Sequence, residues 1–130
     1  MIAMRRLLLM LAMLFAGSAC AEWVKVSESE IGMYYIDPKT IRTDGNLRKS
    51  WGITDYKQRF TNGAISWRVR TEYDCKEERL RLLSLREHSE RMASGTTIWS
   101  QDYEENSDDW HAIPPGTGAE AMMKFVCLLP

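Results

Sequence analysis

The chain has 130 residues, with 17 basic and 18 acidic side chains and a formal net charge of −1. That length is one domain's worth, and the near-neutral balance gives no electrostatic reason to expect nucleic acid as a partner. Three cysteines and two histidines, without ligand-like spacing between them, exclude a recognisable zinc site.

Residues 1–21 read as an export signal. Arg5 and Arg6 supply the positive n-region, and LLLMLAMLFAG (7–17) is an apolar run of about a dozen residues, short of the roughly 20 needed to span a bilayer. No later stretch is as hydrophobic, so no transmembrane helix is expected. Ala19-Cys20-Ala21 is an A-x-A site that places cleavage before Glu22. GSAC (17–20) also has the shape of a lipobox, but Gly17 stands where a bulky aliphatic residue is usual, and Trp23 opens a strand-like stretch without a linker. The expectation is a soluble periplasmic or secreted protein, with a lipid-anchored outer-membrane protein as the alternative if Cys20 is acylated. After the signal the balance is 15 basic against 18 acidic residues, a net charge of −3, and all five Trp and five Tyr remain. Residues 22–130 show no repeat or linker and are expected to form a single β-rich domain.

Trp23–Val26 and Met33–Ile36 look like short strands, the second stopped by Asp37-Pro38 because proline cannot donate to a ladder. PKTIR has the length of a single helical turn, and Asp44-Gly45 is a turn leading into a strand where Leu47, Trp51 and Ile53 share a face. From Ile65 to Cys75 the chain alternates without a break. Ile65, Trp67, Val69, Thr71, Tyr73 and Cys75 face one way; Ser66, Arg68, Arg70, Glu72 and Asp74 face the other. Period two predicts one face in the core and one in water. RLRLLSLREHSE (79–90) is a partner strand if a bulge near Leu82-Leu83 resets its phase, or a helix, given its good helix formers. Without the bulge Leu83 and Leu85 lie outside and favour a weak homodimer; with it they turn inward and the chain is a monomer. Residues 94–104 are again β-prone, followed by the acidic loop EENSDD. Thr117 and Glu120 then form a T-x-x-E capping box, and Ala119, Met122, Met123 and Val126 make one apolar helical stripe with Cys127 beside it. The fold class is therefore α+β: a single antiparallel sheet of about six strands, with an amphipathic C-terminal helix packed on it.

Cys75 and Cys127 are left as an even pair in an oxidising compartment, expected to bridge; two buried free thiols are the alternative. No nucleophile elbow, P-loop, dinucleotide-binding glycine pattern or HExxH occurs, and the acidic loop lacks the rhythm of a calcium loop. The chain is expected not to be an enzyme and to hold no metal. His88 and His111 read as surface or capping residues, and the aromatics as core. One candidate site remains: Arg68 and Arg70 on one strand, with Arg79 and Arg81 on its neighbour, form a basic patch suited to carboxylates, heparin-like polymers or an acidic protein surface. A solvated face with Glu72 and Asp74 interleaved is the plainer reading.

AEWVKV after the signal, YYID followed by Ile41, Trp51 in a central strand and EYDC ending a long strand form an ordered set. W-H-A-I-P-P-G-T before a terminal helix with Cys127 completes it. This pattern resembles the surface-adhesin protein E family of Gram-negative bacteria. The resemblance implies an antiparallel sheet with a C-terminal helix, a cysteine bridge, no catalytic activity, and binding of extracellular-matrix or envelope proteins; haem binding is implied by the resemblance alone. The expected function is an exported non-enzymatic binding module, adhesin-like, that recognises a protein or other large ligand. The alternative is a soluble periplasmic structural or envelope-stress protein with no host ligand.

Overall fold

Residues 21–129 are described by the structure, a computed structural model. In chain order its strands are β1 (Val24–Glu28), β2 (Gly32–Ile36), β3 (Arg42–Asp44), β4 (Leu47–Tyr56), β5 (Ser66–Asp74), β6 (Arg79–Glu90), β7 (Ser94–Asp102) and β8 (His111–Ala112). A single helix, α1 (Gly118–Leu128), follows. The strands form one antiparallel sheet in the spatial order β1-β2-β4-β5-β6-β7; β3 adds to β4, and β8 to β6. The main path has the six expected strands, and the two short additions bring the sheet to eight. The expected export signal, with Ala19 and Cys20, lies outside the described residues except for Ala21. Among the described residues no helix is long and apolar enough to cross a membrane.

Local chemistry accounts for the connections. Asp37 accepts from the backbone of Lys39 and starts a 3-10 turn at Pro38–Thr40. Gly45, at φ +58, takes the left-handed conformation that closes the β3–β4 hairpin. Thr117 caps α1 by accepting from the backbone N–H of Glu120 at 3.3 Å, while the Glu120 carboxylate reaches back to the N–H of Gly116, also at 3.3 Å. At the other end Arg48 donates to the carbonyls of Val126 and Leu129, groups with no partner inside the helix.

The apolar stripe of α1 docks as predicted. Met122, Met123 and Val126 bury against Ile36 and Tyr73 to make the main core, and Cys127 is bonded to Cys75 with Cα atoms 5.8 Å apart. β6 is a strand and not a helix. Its pairing with β5 runs from Arg70↔Ser84 to Thr71↔Leu82, which makes Leu83 the extra residue of a bulge. Leu83 and Leu85 are both buried. That removes the reason for a dimer through exposed leucines.

One expectation about β5 is corrected. The face carrying Ser66, Arg68, Arg70, Glu72 and Asp74 is solvated only in part: Ser66 is 0 % exposed, Glu72 4 % and Asp74 6 %, whereas Arg68 is exposed and Arg70 half-buried. The arginines of β6 and the segment 103–110 fold over the Glu72–Asp74 end. Packed side chains therefore cover both ends of a face whose alternating charges read as wet, and leave Arg68 open between them.

Candidate functional site

The helix lies over β1, β2 and β4, so the same face of β5 and β6 is left partly uncovered. Strand register sets what is displayed there. Tyr34, Thr54 and Trp67 are aligned across three strands, and Gly52 opposite Val69 continues the row. Between these residues and the first turns of α1 runs an open groove of about 220 Å³, with Tyr34, Tyr56, Trp67, Val69, Leu82 and Met122 on its walls. Its outer wall is an aromatic cluster: Tyr56 meets Trp67 edge-on at 5.1 Å, and Phe60 stacks on Trp67 at 5.6 Å. Phe60 is carried by a tight loop, its N–H bonded to the carbonyl of Ala64 and Arg59 bonded to that of Gly63.

Two polar features sit in this apolar setting. The Trp67 indole Nε1 is buried with no hydrogen-bond acceptor among the described residues. An unpaired buried donor is costly, and this one has no surface open to the groove. Tyr73 donates to the Met122 Sδ at 3.7 Å at the inner end. Burial pushes the phenols of Tyr56 and Tyr73 above the usual tyrosine range, so both stay neutral.

The four arginines expected as a site share the opposite face, as alternation predicts, and three of them are matched there by acids. Arg81 donates from Nε to Glu72 at 2.7 Å and also reaches the carbonyl of Ser107. Arg70 pairs with Glu105 at 3.2 Å, and Lys49 lies 3.9 Å from both Glu72 and Glu105. Arg79 pairs with Asp74 at 3.0 Å. Burial works to raise the Asp74 carboxyl, but the N–H groups of Glu77 and Lys76 and the Arg79 guanidinium together hold it below the usual range. Trp110 lies between two of the arginines, 4.7 Å from Arg79 and 4.4 Å from Arg81. Arg68 differs: it has no carboxylate partner among the described residues and lies over the Trp51 ring at 4.5 Å.

Sequence reasoning missed Trp51 and Trp110 as platforms for arginines and placed them with the core. The signal for Trp51 was present, since its strand puts it diagonal to Arg68; Trp110 lies in a segment without periodicity and gave none. His88 is half-buried on β6 and His111 is exposed on β8. Among the described residues no group of three His, Cys, Asp or Glu side chains is placed to hold a metal. The groove does not fit haem ligation. Neither histidine nor a free cysteine lines it, Met122 already accepts from Tyr73, and its buried tyrosines resist forming the phenolate.

The family model for surface-adhesin protein E matches residues 23–128. No curated protein matches the sequence significantly. Crystal form II of Haemophilus influenzae protein E superimposes with a TM-score of 0.60 at 13% identity, covering 85% of this chain and 90% of that one. A second Haemophilus influenzae protein E structure gives 0.58 at 13% identity, covering 85% of this chain and 86% of its own. Protein E from non-typeable Haemophilus influenzae gives 0.56 at 13% identity, with 85% and 78% covered. Identity that low establishes a shared fold and no more. The family match, which spans nearly every described residue, places the chain in the surface-adhesin protein E family.

Proposed function

We propose that this protein is an exported, non-enzymatic binding module, adhesin-like, that takes an extended apolar segment of a partner protein into the groove beside α1. The observation that carries this is the groove itself: an open apolar channel with aromatic walls. A peptide segment matches it, because its side chains cover the apolar floor while its backbone stays toward solvent. Aromatic side chains that stay partly open to solvent at low entropic cost are also the usual anchors of protein interfaces. Membership of an adhesin family agrees with a partner at or beyond the envelope.

Plate binding of the purified protein to immobilised extracellular-matrix proteins tests this reading. Leu82→Glu, which puts a charge on the groove wall, is expected to weaken binding at least tenfold in a protein that stays folded by circular dichroism, with a lowered melting temperature because Leu82 is half-buried. Trp67→Phe, which keeps an aromatic ring in the wall, should weaken it less. Wild-type binding no stronger than that of an unrelated disulfide-bonded domain overturns the reading, as does wild-type binding by folded Leu82→Glu.

A further inference from the structure

We infer that Arg68, backed by Trp51, is a carboxylate-binding site for an acidic segment of a partner protein, on the face opposite the groove. Five arginines project from β5 and β6 on this face, and four have acids: Arg70 with Glu105, Arg79 with Asp74, Arg81 with Glu72 and Arg86 with Asp102. Arg68 alone has none among the described residues. Its guanidinium carbon lies over the indole of Trp51, 4.5 Å from the ring centre. A guanidinium resting on a ring spends no N–H donor on that contact, and its fork of donors is left to grip a carboxylate through two parallel bonds.

The surroundings add to the attraction. Strand register puts Arg86 directly across from Arg68, and of these two like charges only Arg86 has an anion beside it, Asp102. Arg86 is tied down by Asp102 at 2.9 Å and by the carbonyls of Leu85 and Gln101, so it cannot swing away. His88, on the same strand, is held below the usual histidine range by burial and then by the charges of these two arginines.

The same face also limits the ligand. Asp102 is 74% exposed and Glu105 56%, and both flank the site. A long polyanion such as a sulfated glycan laid across the sheet runs over these carboxylates and is repelled. One or two carboxylates on a peptide reach Arg68 between them. The site is independent of the groove, so loss of one leaves the other intact.

The test is an NMR titration of the isotope-labelled protein with an acetylated, amidated Glu-Gly-Glu peptide, followed at the Arg68 Nε–H and the Trp51 indole N–H. Saturable shifts at both groups are expected, with a dissociation constant on the order of 1 mM, as befits one exposed bidentate pair. Binding should weaken several-fold on moving from low salt to roughly 0.5 M, where screening is strong. Arg68→Gln should abolish the shift at Trp51, whereas Arg70→Gln should leave it. Arg86→Gln, the second variant should Arg68→Gln fail to fold, is expected to weaken binding several-fold. Absence of saturable shifts, Trp51 shifts that survive Arg68→Gln, an affinity unchanged in Arg86→Gln, or tighter binding of a heparin tetrasaccharide than of the peptide would each overturn the assignment.

Discussion

The ring of Tyr34 on β2 lies directly against the backbone of Gly118 at the start of α1, in the space a Cβ would occupy. Tyr34 has little freedom to retreat, because its hydroxyl is hydrogen-bonded to the Ser29 Oγ at 3.1 Å. This contact sets how closely the helix approaches the sheet, and hence the width of the groove that Tyr34 and Met122 share.

Gly118→Ala is therefore expected to destabilise the protein, although alanine is the better helix former by about 1 kcal/mol. Forcing a methyl group into a filled space costs about 1–3 kcal/mol. At about 4–8 °C per kcal/mol for a domain of this size, thermal unfolding should show a clear fall in Tm. A Tm at or above wild type would mean that Tyr34 turns aside freely.

The bond between Cys75 and Cys127 closes a loop of 52 positions and joins the end of β5 to the last turn of α1. Either cysteine changed to Ser is expected to cost about 2–5 kcal/mol, chiefly by freeing the unfolded chain. The helix should loosen first, since it is the terminal element and otherwise holds by Met122, Met123 and Val126. Hydrogen exchange in Cys127→Ser checks this: amides of residues 118–128 should lose protection before those of β5 and β6. Free-thiol labelling of the unreduced, folded wild type at both positions contradicts it.

Leu85→Glu is expected to unfold the protein and not to dissolve a dimer. Leu85 is only 7 % exposed, so the substitution forfeits about 2 kcal/mol of apolar burial and adds a carboxylate without a partner. Leu128→Glu is the matched control, because Leu128 is 81 % exposed and should tolerate the charge. Circular dichroism and sedimentation of the two variants separate the outcomes. A folded Leu85→Glu monomer derived from a dimeric wild type would show that Leu85 belongs to an interface.

The depressed pKa of His88 gives the fold a pH dependence. Burial, then Arg68 and Arg86, disfavour the imidazolium in the folded state, while the unfolded chain takes up that proton near pH 6.5. The unfolded state therefore binds more protons over this window, and stability falls as pH drops below about 6.5, until the folded state titrates too. Arg68→Gln removes one of the causes and should raise the His88 pKa toward its ordinary value, making the acid-side loss shallower. Titration of the imidazole C–H signals by NMR checks this. A His88 curve unaffected by Arg68→Gln would assign the depression to burial and Arg86 alone.

By itself the sequence determined whatever depends on near neighbours or on covalent chemistry. Unbroken alternation from Ile65 to Cys75 specified β5 and the face that meets the helix, because side chains on a strand alternate whatever packs on them. The out-of-phase leucines of β6 left a bulged strand, an unbulged strand and a helix open, and the structure decides for a strand with its bulge at Leu83. Thr117 and Glu120 specified the start of α1, and its apolar stripe put Cys127 beside the core that receives Cys75. The four arginines share one face of the sheet, but their state was not legible. Their partners Glu105, Ser107 and Trp110 come from the segment 103–110, which has no periodicity and is positioned only when β7 and β8 pair with β6. The groove was hidden for the same reason. It is the part of a sheet face that α1 does not cover, and that remainder depends on where the helix lands: over β1, β2 and β4, held by Cys75, by Arg48 and by the close contact of Tyr34 with Gly118. Local pattern determines which side of a strand is apolar; only long-range packing decides how much of that side is left open to bind.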